Sequence, residues 1–88
     1  MLEKAIELSL VKRIKELGGI AYKFVSPNRR SVPDRLCLLP GGRVLFVECK
    51  APGKRPTVLQ AKEHERLRAL GFEVLVVDNK EDFDVIAR

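Results

Sequence analysis

Residues 43–50, RVLFVECK, run through four consecutive apolar positions, Val44 to Val47, and stop abruptly in Glu48-Cys49-Lys50. An unbroken apolar run of this length reads as a strand covered on both faces, and such a strand sits at the centre of a sheet. Glu48 and Lys50 are two residues apart, so both project from one face at the end of that strand, where a buried core normally excludes charge. A strand built this way leads into a site that uses charge.

Upstream, Pro33 opens a strand, Asp34 to Leu39, and Pro40-Gly41-Gly42 closes a hairpin onto it. A three-residue loop with Gly42 in the left-handed position sets Leu39 opposite Arg43, Leu38 opposite Val44, Cys37 opposite Leu45 and Leu36 opposite Phe46. Counting on, Asp34 falls opposite Glu48. A two-residue loop would shift the register by one and send the two acids to opposite faces. Cys37 and Cys49 share the other face, too far apart along it for a disulfide, and read as small buried apolar residues.

Downstream, Ala51 to Pro56 is a basic loop carrying Lys54 and Arg55. Thr57 then reads as the N-cap of a helix from Val58 to Leu70, with Gln60 completing a T-x-x-Q capping box and Gly71 ending it. Leu59, Glu63, Leu67 and Leu70 mark one side, while Gln60, His64 and Leu67 line up at i, i+4, i+7. Gln60 is thus explained by capping alone, yet its face can border the charged end of the central strand. Phe72 to Val77, FEVLVV, reads as an interior strand that returns parallel to the central one through a β-α-β crossover. A short helix is expected over Lys80 to Ala87.

At the other end, Leu2 to Leu17 is helical by period, with Ile6, Leu10, Ile14 and Leu17 on one stripe and Gly18-Gly19 as the stop. At about 100° per residue Glu3 projects into the middle of that stripe and Glu7 lies on its edge. Glu3 is either an acid directed at the core or a wet carboxylate in the first turn, favoured there by the helix dipole. Ile20 to Val25 alternates as a strand. The loop after it carries Arg29, Arg30 and Ser31, residue types that suit phosphate contacts and equally an ordinary solvated connector.

Composition narrows the classes. At 88 residues and 45% hydrophobic content, residues 1–88 read as a single domain with one modest core. A formal net charge of +5 favours an anionic partner. Two cysteines are too few for a disulfide scaffold and form no zinc-type pair, which suits a reducing, cytoplasmic setting. No stretch reads as a signal peptide, and no apolar run approaches the roughly 20 residues that cross a bilayer. No membrane partner and no small-molecule cofactor are expected.

Carboxylates facing one another repel unless protonated or bound to a cation. Oxygen donors without His or Cys clusters suit Mg²⁺ or Mn²⁺ far better than zinc. The bland alternative is an ion-pair cluster in which Lys50 neutralises Glu48. Pro33-Asp34, thirteen intervening residues and then Glu48-Cys49-Lys50, set in this order of elements, resemble the PD-(D/E)xK nuclease superfamily. The chain is most similar to its small VRR-NUC branch, found in phage replication and repair proteins. The likeness spans nearly the whole chain: the E-x-x-I-x-x-x-L-V start at Glu3, S-V-P-D at 31–34, F-V-E-C-K, Gln60, and the final V-L-V-V-D strand.

The resemblance implies an α/β fold, a restriction-endonuclease-like α-β-β-β-α-β core with a central mixed sheet flanked by helices. It implies catalytic roles for Asp34, Glu48, Lys50 and Gln60. Metal ligation by Asp34, Glu48 and the Cys49 carbonyl follows from it too, with Glu3, or failing that Glu7, as the first-helix acid. Lys50 would orient the attacking water or stabilise the phosphorane. Arg29, Arg30, Ser31, Lys54 and Arg55 are expected to contact the DNA backbone. The expected activity is metal-dependent endonuclease cleavage of branched DNA such as Holliday junctions by a homodimer. The alternatives are a flap or nonspecific nuclease, and a catalytically silent, basic DNA-binding subunit.

Overall fold

The computed structural model describes residues 2–87. Helix α1 (Glu3–Glu16) leads into β1 (Ile20–Lys23), β2 (Arg35–Leu39), a short 3-10 turn (Pro40–Gly42), β3 (Arg43–Cys49), helix α2 (Val58–Ala69), β4 (Glu73–Val77) and a terminal 3-10 segment (Lys80–Val85). The strands form one mixed sheet in the order β1-β2-β3-β4. Strands β1, β2 and β3 are antiparallel neighbours, and β4 runs parallel to β3.

Helix α1 folds as its period demands: Ile6, Leu10 and Ile14 recur every fourth residue and are wholly buried. Its end is a Schellman motif. The Gly18 N–H donates to the Lys15 carbonyl at 3.0 Å and the Gly19 N–H to the Ile14 carbonyl at 2.9 Å, with Gly18 at φ +87°. Gly19 is needed for a different reason. A Cβ there would lie 2.4 Å from the Leu38 carbonyl oxygen and 3.0 Å from Leu39 Cδ2. The helix therefore turns onto β2 only if that position has no side chain. Gly19→Ala is expected to lower stability by about 1–3 kcal/mol, read as a drop in melting temperature; an unchanged melt would show that β2 yields freely.

The core lies between α1, the terminal segment and one face of the sheet. Ile6, Leu10 and Ile14 pack with Cys37, Leu45, Val47, Cys49, Val77, Phe83 and Ile86. These are alternate strand residues, as a pleated sheet requires. The opposite face carries Leu36, Phe46, Glu48 and Val74, and α2 crosses it beside β4, where Arg68 Nη2 donates to the Val74 carbonyl at 2.9 Å. The β1–β2 half of that face is left open, with Ile20, Tyr22 and Leu38 exposed.

The hairpin register is as counted: Leu36 pairs with Phe46, Cys37 with Leu45 and Leu38 with Val44, and both Gly41 and Gly42 adopt positive φ. Three readings need correction. Strand β4 is an edge strand rather than an interior one. Its apolar residues reflect cover on its two faces, Val74 on the side of α2 and Leu75 with Val77 against the α1 core. On α2, Leu59 and Leu70 are exposed, whereas Glu63 and His64 are buried. The helix turns its polar side inward because it docks over the charged end of the sheet. The terminal helix is a 3-10 segment, its N-terminus capped by Asn79, whose Oδ1 accepts from the Asp82 N–H.

Candidate active site

Glu48 follows Phe46 on the α2-facing side of β3 and is 1% exposed. On the same face Phe46 is flanked by Phe24 and Phe72, with ring centroids 5.6 Å and 5.8 Å away. Asp34 reaches it from the start of β2. The Asp34 Oδ2 accepts the Cys49 N–H at 2.8 Å, and the Asp34 carbonyl accepts the Phe24 N–H at 2.9 Å. That carboxylate locks the open end of the hairpin, continuing the β2–β3 pairing by a side chain where the backbone ladder has ended.

Lys50 is set by the last step of the parallel pairing, its N–H donating to the Val77 carbonyl at 2.9 Å. Its Nζ lies 3.6 Å from Glu48 Oε2. Gln60 resolves its two sequence readings by sharing its side chain. Its Oε1 accepts the Thr57 N–H at 2.9 Å to complete the capping box, and its Nε2 donates to Glu48 Oε2 at 3.3 Å. His64, one turn further along α2, puts Nε2 3.5 Å from Glu48 Oε1. Neither of those two atoms has a hydrogen-bond partner among the described residues, and both are sealed from solvent.

The electrostatics follow from burial. Loss of solvent, and secondarily the Asp34 charge, push the Glu48 carboxyl up to about 8 against the pull of Lys50. Burial first, then Arg68 and Lys50, hold the His64 imidazole below its ordinary value. Burial also raises the Cys49 and Cys37 thiols, Cys37 to about 11, which keeps both inert.

Asp34, Glu48, Cys49, Lys50 and Gln60 are thus brought together. Glu3 is not in the apolar stripe: Leu2 and Glu3 are both exposed, and the buried stripe begins at Ile6. Its carboxylate sits in the first turn, where the helix dipole favours it. Glu7 is half-buried and bonded to Arg35, Nε to Oε1 at 3.0 Å, and its charge contributes to raising the Cys49 thiol. Of the basic residues, Arg29 donates through Nε to Glu63 at 2.9 Å, tying the 26–31 loop to α2. A cleft of about 340 Å³ opens there, lined by Asn28, Arg29, Arg30, Ser31, Leu59, Lys62 and Glu63. Lys54 and Arg55 lie on the separate, exposed 51–56 loop.

His64, Glu63 and Lys62 are the site residues that the sequence reading misses. His64 had a signal, its place four residues after Gln60; Glu63 was grouped with Leu59, Leu67 and Leu70, of which Leu59 and Leu70 proved exposed.

Among the described residues, no three His, Cys, Asp or Glu side chains cluster as a metal centre. Two carboxyl groups converge, and the buried Glu48 Oε1 has no hydrogen-bond partner among the described residues. Two hard oxygen donors beside a main-chain carbonyl fit a small divalent cation that keeps several of its waters.

No family model matches the chain. It is 58% identical over 79 residues to "Putative nuclease p44" of Acyrthosiphon pisum secondary endosymbiont phage 1, covering 90% of this chain and 85% of that protein. A solved structure described as "VRR_NUC domain" superposes with a TM-score of 0.89, is 34% identical, and matches over 96% of this chain and 91% of its own.

Proposed function

The chain belongs to the VRR-NUC family, and its mixed sheet with flanking helices is of the PD-(D/E)xK type; from that premise we propose that it is a single-domain, metal-dependent DNA endonuclease acting on branched DNA. The observation that carries the reading is Glu48, a buried carboxyl beside Asp34 and Lys50 with an oxygen that has no hydrogen-bond partner among the described residues. Burying such a group costs stability, and a fold keeps it where a ligand repays the cost.

In this reading Asp34, Glu48 and the Cys49 carbonyl would hold Mg²⁺ or Mn²⁺, which when bound would supply a hydroxide nucleophile and neutralise charge on the phosphoryl oxygens. Lys50, with its ammonium directed at the same carboxylate, stabilises negative charge as it develops on the phosphate. Gln60 fixes the Glu48 carboxylate from α2 while the capping box fixes Gln60. Asp34, bonded to the Cys49 N–H, keeps the ends of β2 and β3 in register so that both carboxylates stay on one side.

Arg30, Ser31 and Lys62 at the cleft beside α2, with Lys54 and Arg55 on the neighbouring loop, are proposed to hold the DNA backbone without reading bases. Arg29 contributes by fixing the loop through Glu63. The open apolar face at Ile20, Tyr22 and Leu38 supports a homodimer, which would set two sites on one four-way junction. With Mg²⁺ or Mn²⁺ the protein is expected to cut a synthetic four-way junction in paired, symmetry-related nicks and to run as a dimer by light scattering. Equal cutting of flaps and linear duplex would replace the junction preference with a flap or nonspecific activity. No cutting of any DNA with either ion would leave a silent DNA-binding subunit.

A further inference from the structure

Glu48 Oε1 and His64 Nε2 face each other at 3.5 Å, both out of solvent and both without a hydrogen-bond partner among the described residues. Buried polar groups are nearly always paired, so two facing orphans mark one interaction left open rather than two separate defects. We propose that His64 is a positioning residue of the nuclease site: its Nε2–H holds Glu48 Oε1 while the Gln60 amide holds Oε2, so that α2 grips both oxygens of the cation-binding carboxylate. The inference rests on the nuclease reading above and adds a residue to it.

The helix geometry suits the role. Gln60 and His64 are four residues apart and share one face, and the Gln60 arm is already made, Nε2 to Oε2 at 3.3 Å. The terminal torsion of a glutamate is soft, so a small rotation of the Glu48 carboxyl closes the second contact. The docking of α2 argues the same way. Val58, Leu59 and Leu70 are exposed while His64 is buried, so the helix has given up apolar burial to bring this imidazole to the carboxylate. A histidine that merely filled space there would be the poorer choice, since any of those aliphatic side chains fills space with no polar atom to satisfy.

The chemistry of the donor also matters. Lys50 already places a full positive charge 3.6 Å from Oε2. An imidazole N–H on Oε1 orients that oxygen from the side opposite Lys50's partner Oε2. Groups that hydrogen-bond a ligating carboxylate in this way set its direction, and their loss typically weakens metal binding by about 10- to 100-fold.

The test is Mn²⁺ titration of the DNA-free protein by calorimetry, beside steady-state cleavage, for the unmodified chain, His64→Phe and His64→Gln. Phe keeps the ring without a donor; Gln puts an amide nitrogen near the position of Nε2. His64→Phe is expected to bind Mn²⁺ at least about tenfold more weakly and to lose kcat by a similar factor, with KM for DNA within about twofold. His64→Gln is expected to recover both to within about threefold. Equal Mn²⁺ affinity in the Phe variant would overturn the proposal and leave His64 a core filler. Loss in the Gln variant as deep as in the Phe variant would overturn it in favour of direct ligation by the imidazole.

Should the Phe variant fail to fold, the unmodified protein decides. His64 is the lone histidine, so its imidazole N–H signal in the nuclear magnetic resonance spectrum is unambiguous. A slowly exchanging Nε2–H in the Mg²⁺-loaded protein supports the contact, and a rapidly exchanging one overturns it. If the unmodified protein cuts no DNA yet the Mn²⁺ pattern holds, the nuclease reading fails and the positioning of Glu48 stands.

Discussion

Glu48→Gln is expected to abolish cleavage, by about 10³-fold or more, while making the metal-free protein more stable than its parent above neutral pH. The loss follows from removing one of two proposed ligating carboxylates, worth about 4 kcal/mol of barrier at that factor. The gain follows from linkage. The Glu48 carboxyl titrates near 4.5 when unfolded and about 8 when folded. Between those values the unfolded chain has released the proton and the native state still holds it, so native stability falls as pH rises through that window. The contribution is fully present below about pH 4.5 and lost once pH passes 8.

Glutamine carries no such proton, so the variant's advantage in melting temperature should be small in acid, grow across the window and level off in alkali. A gain of about 1 kcal/mol corresponds to roughly 4–8 °C for a domain of this size. Thermal melts in chelator from pH 4 to 9 measure it. Two curves that stay parallel at every pH would show that Glu48 is not strained by its burial.

Asp34 separates two roles through two replacements. Asp34→Asn and Asp34→Ala are each expected to cut DNA about 10³-fold more slowly, since neither retains the carboxylate charge. Only the alanine variant should also unfold more easily. Asp34 Oδ2 is the acceptor for the Cys49 N–H at 2.8 Å, and Cys49 is wholly buried. Removing that acceptor strands a backbone donor, a cost of about 1–3 kcal/mol, whereas asparagine retains an amide oxygen for it. Melting the pair side by side checks this. If both variants melted alike, the Asp34–Cys49 contact would contribute nothing to the hairpin; if either cut DNA at the parental rate, Asp34 would not be a ligand.

Why this site sits where it does is a matter of one register. A three-residue loop at Pro40–Gly42 brings Asp34 and Glu48 to the same end and face of the hairpin, and the parallel return of β4 fixes Lys50 through the Val77 carbonyl. The site is consequently assembled from short-range decisions, in a turn, a cap and a crossover. The core behind it, from α1 and the terminal segment, lies on the opposite face. The charged end lies on the side of α2, and that helix supplies Gln60 and His64.

Local pattern alone specified the two α-helices, the four strands, the hairpin register, the parallel crossover and the shared use of Thr57 and Gln60 at the start of α2. Each is written in backbone chemistry within a few residues: alternation, paired glycines, an N-cap. It could not specify which face of α2 turns inward. Hydropathy assigns the inside to Leu59 and Leu70, yet the helix turns His64 to the buried Glu48 carboxyl and Glu63 to Arg29, because partners for buried polar groups outweigh the burial of two leucines. Nor could period say that α1 stays wet until Ile6, leaving Glu3 exposed and Glu7 with Arg35, or that β4 ends the sheet. Those outcomes depend on what lies across the gap from each side chain, and only the assembled fold brings Glu48 and His64, sixteen residues apart in the chain, to 3.5 Å.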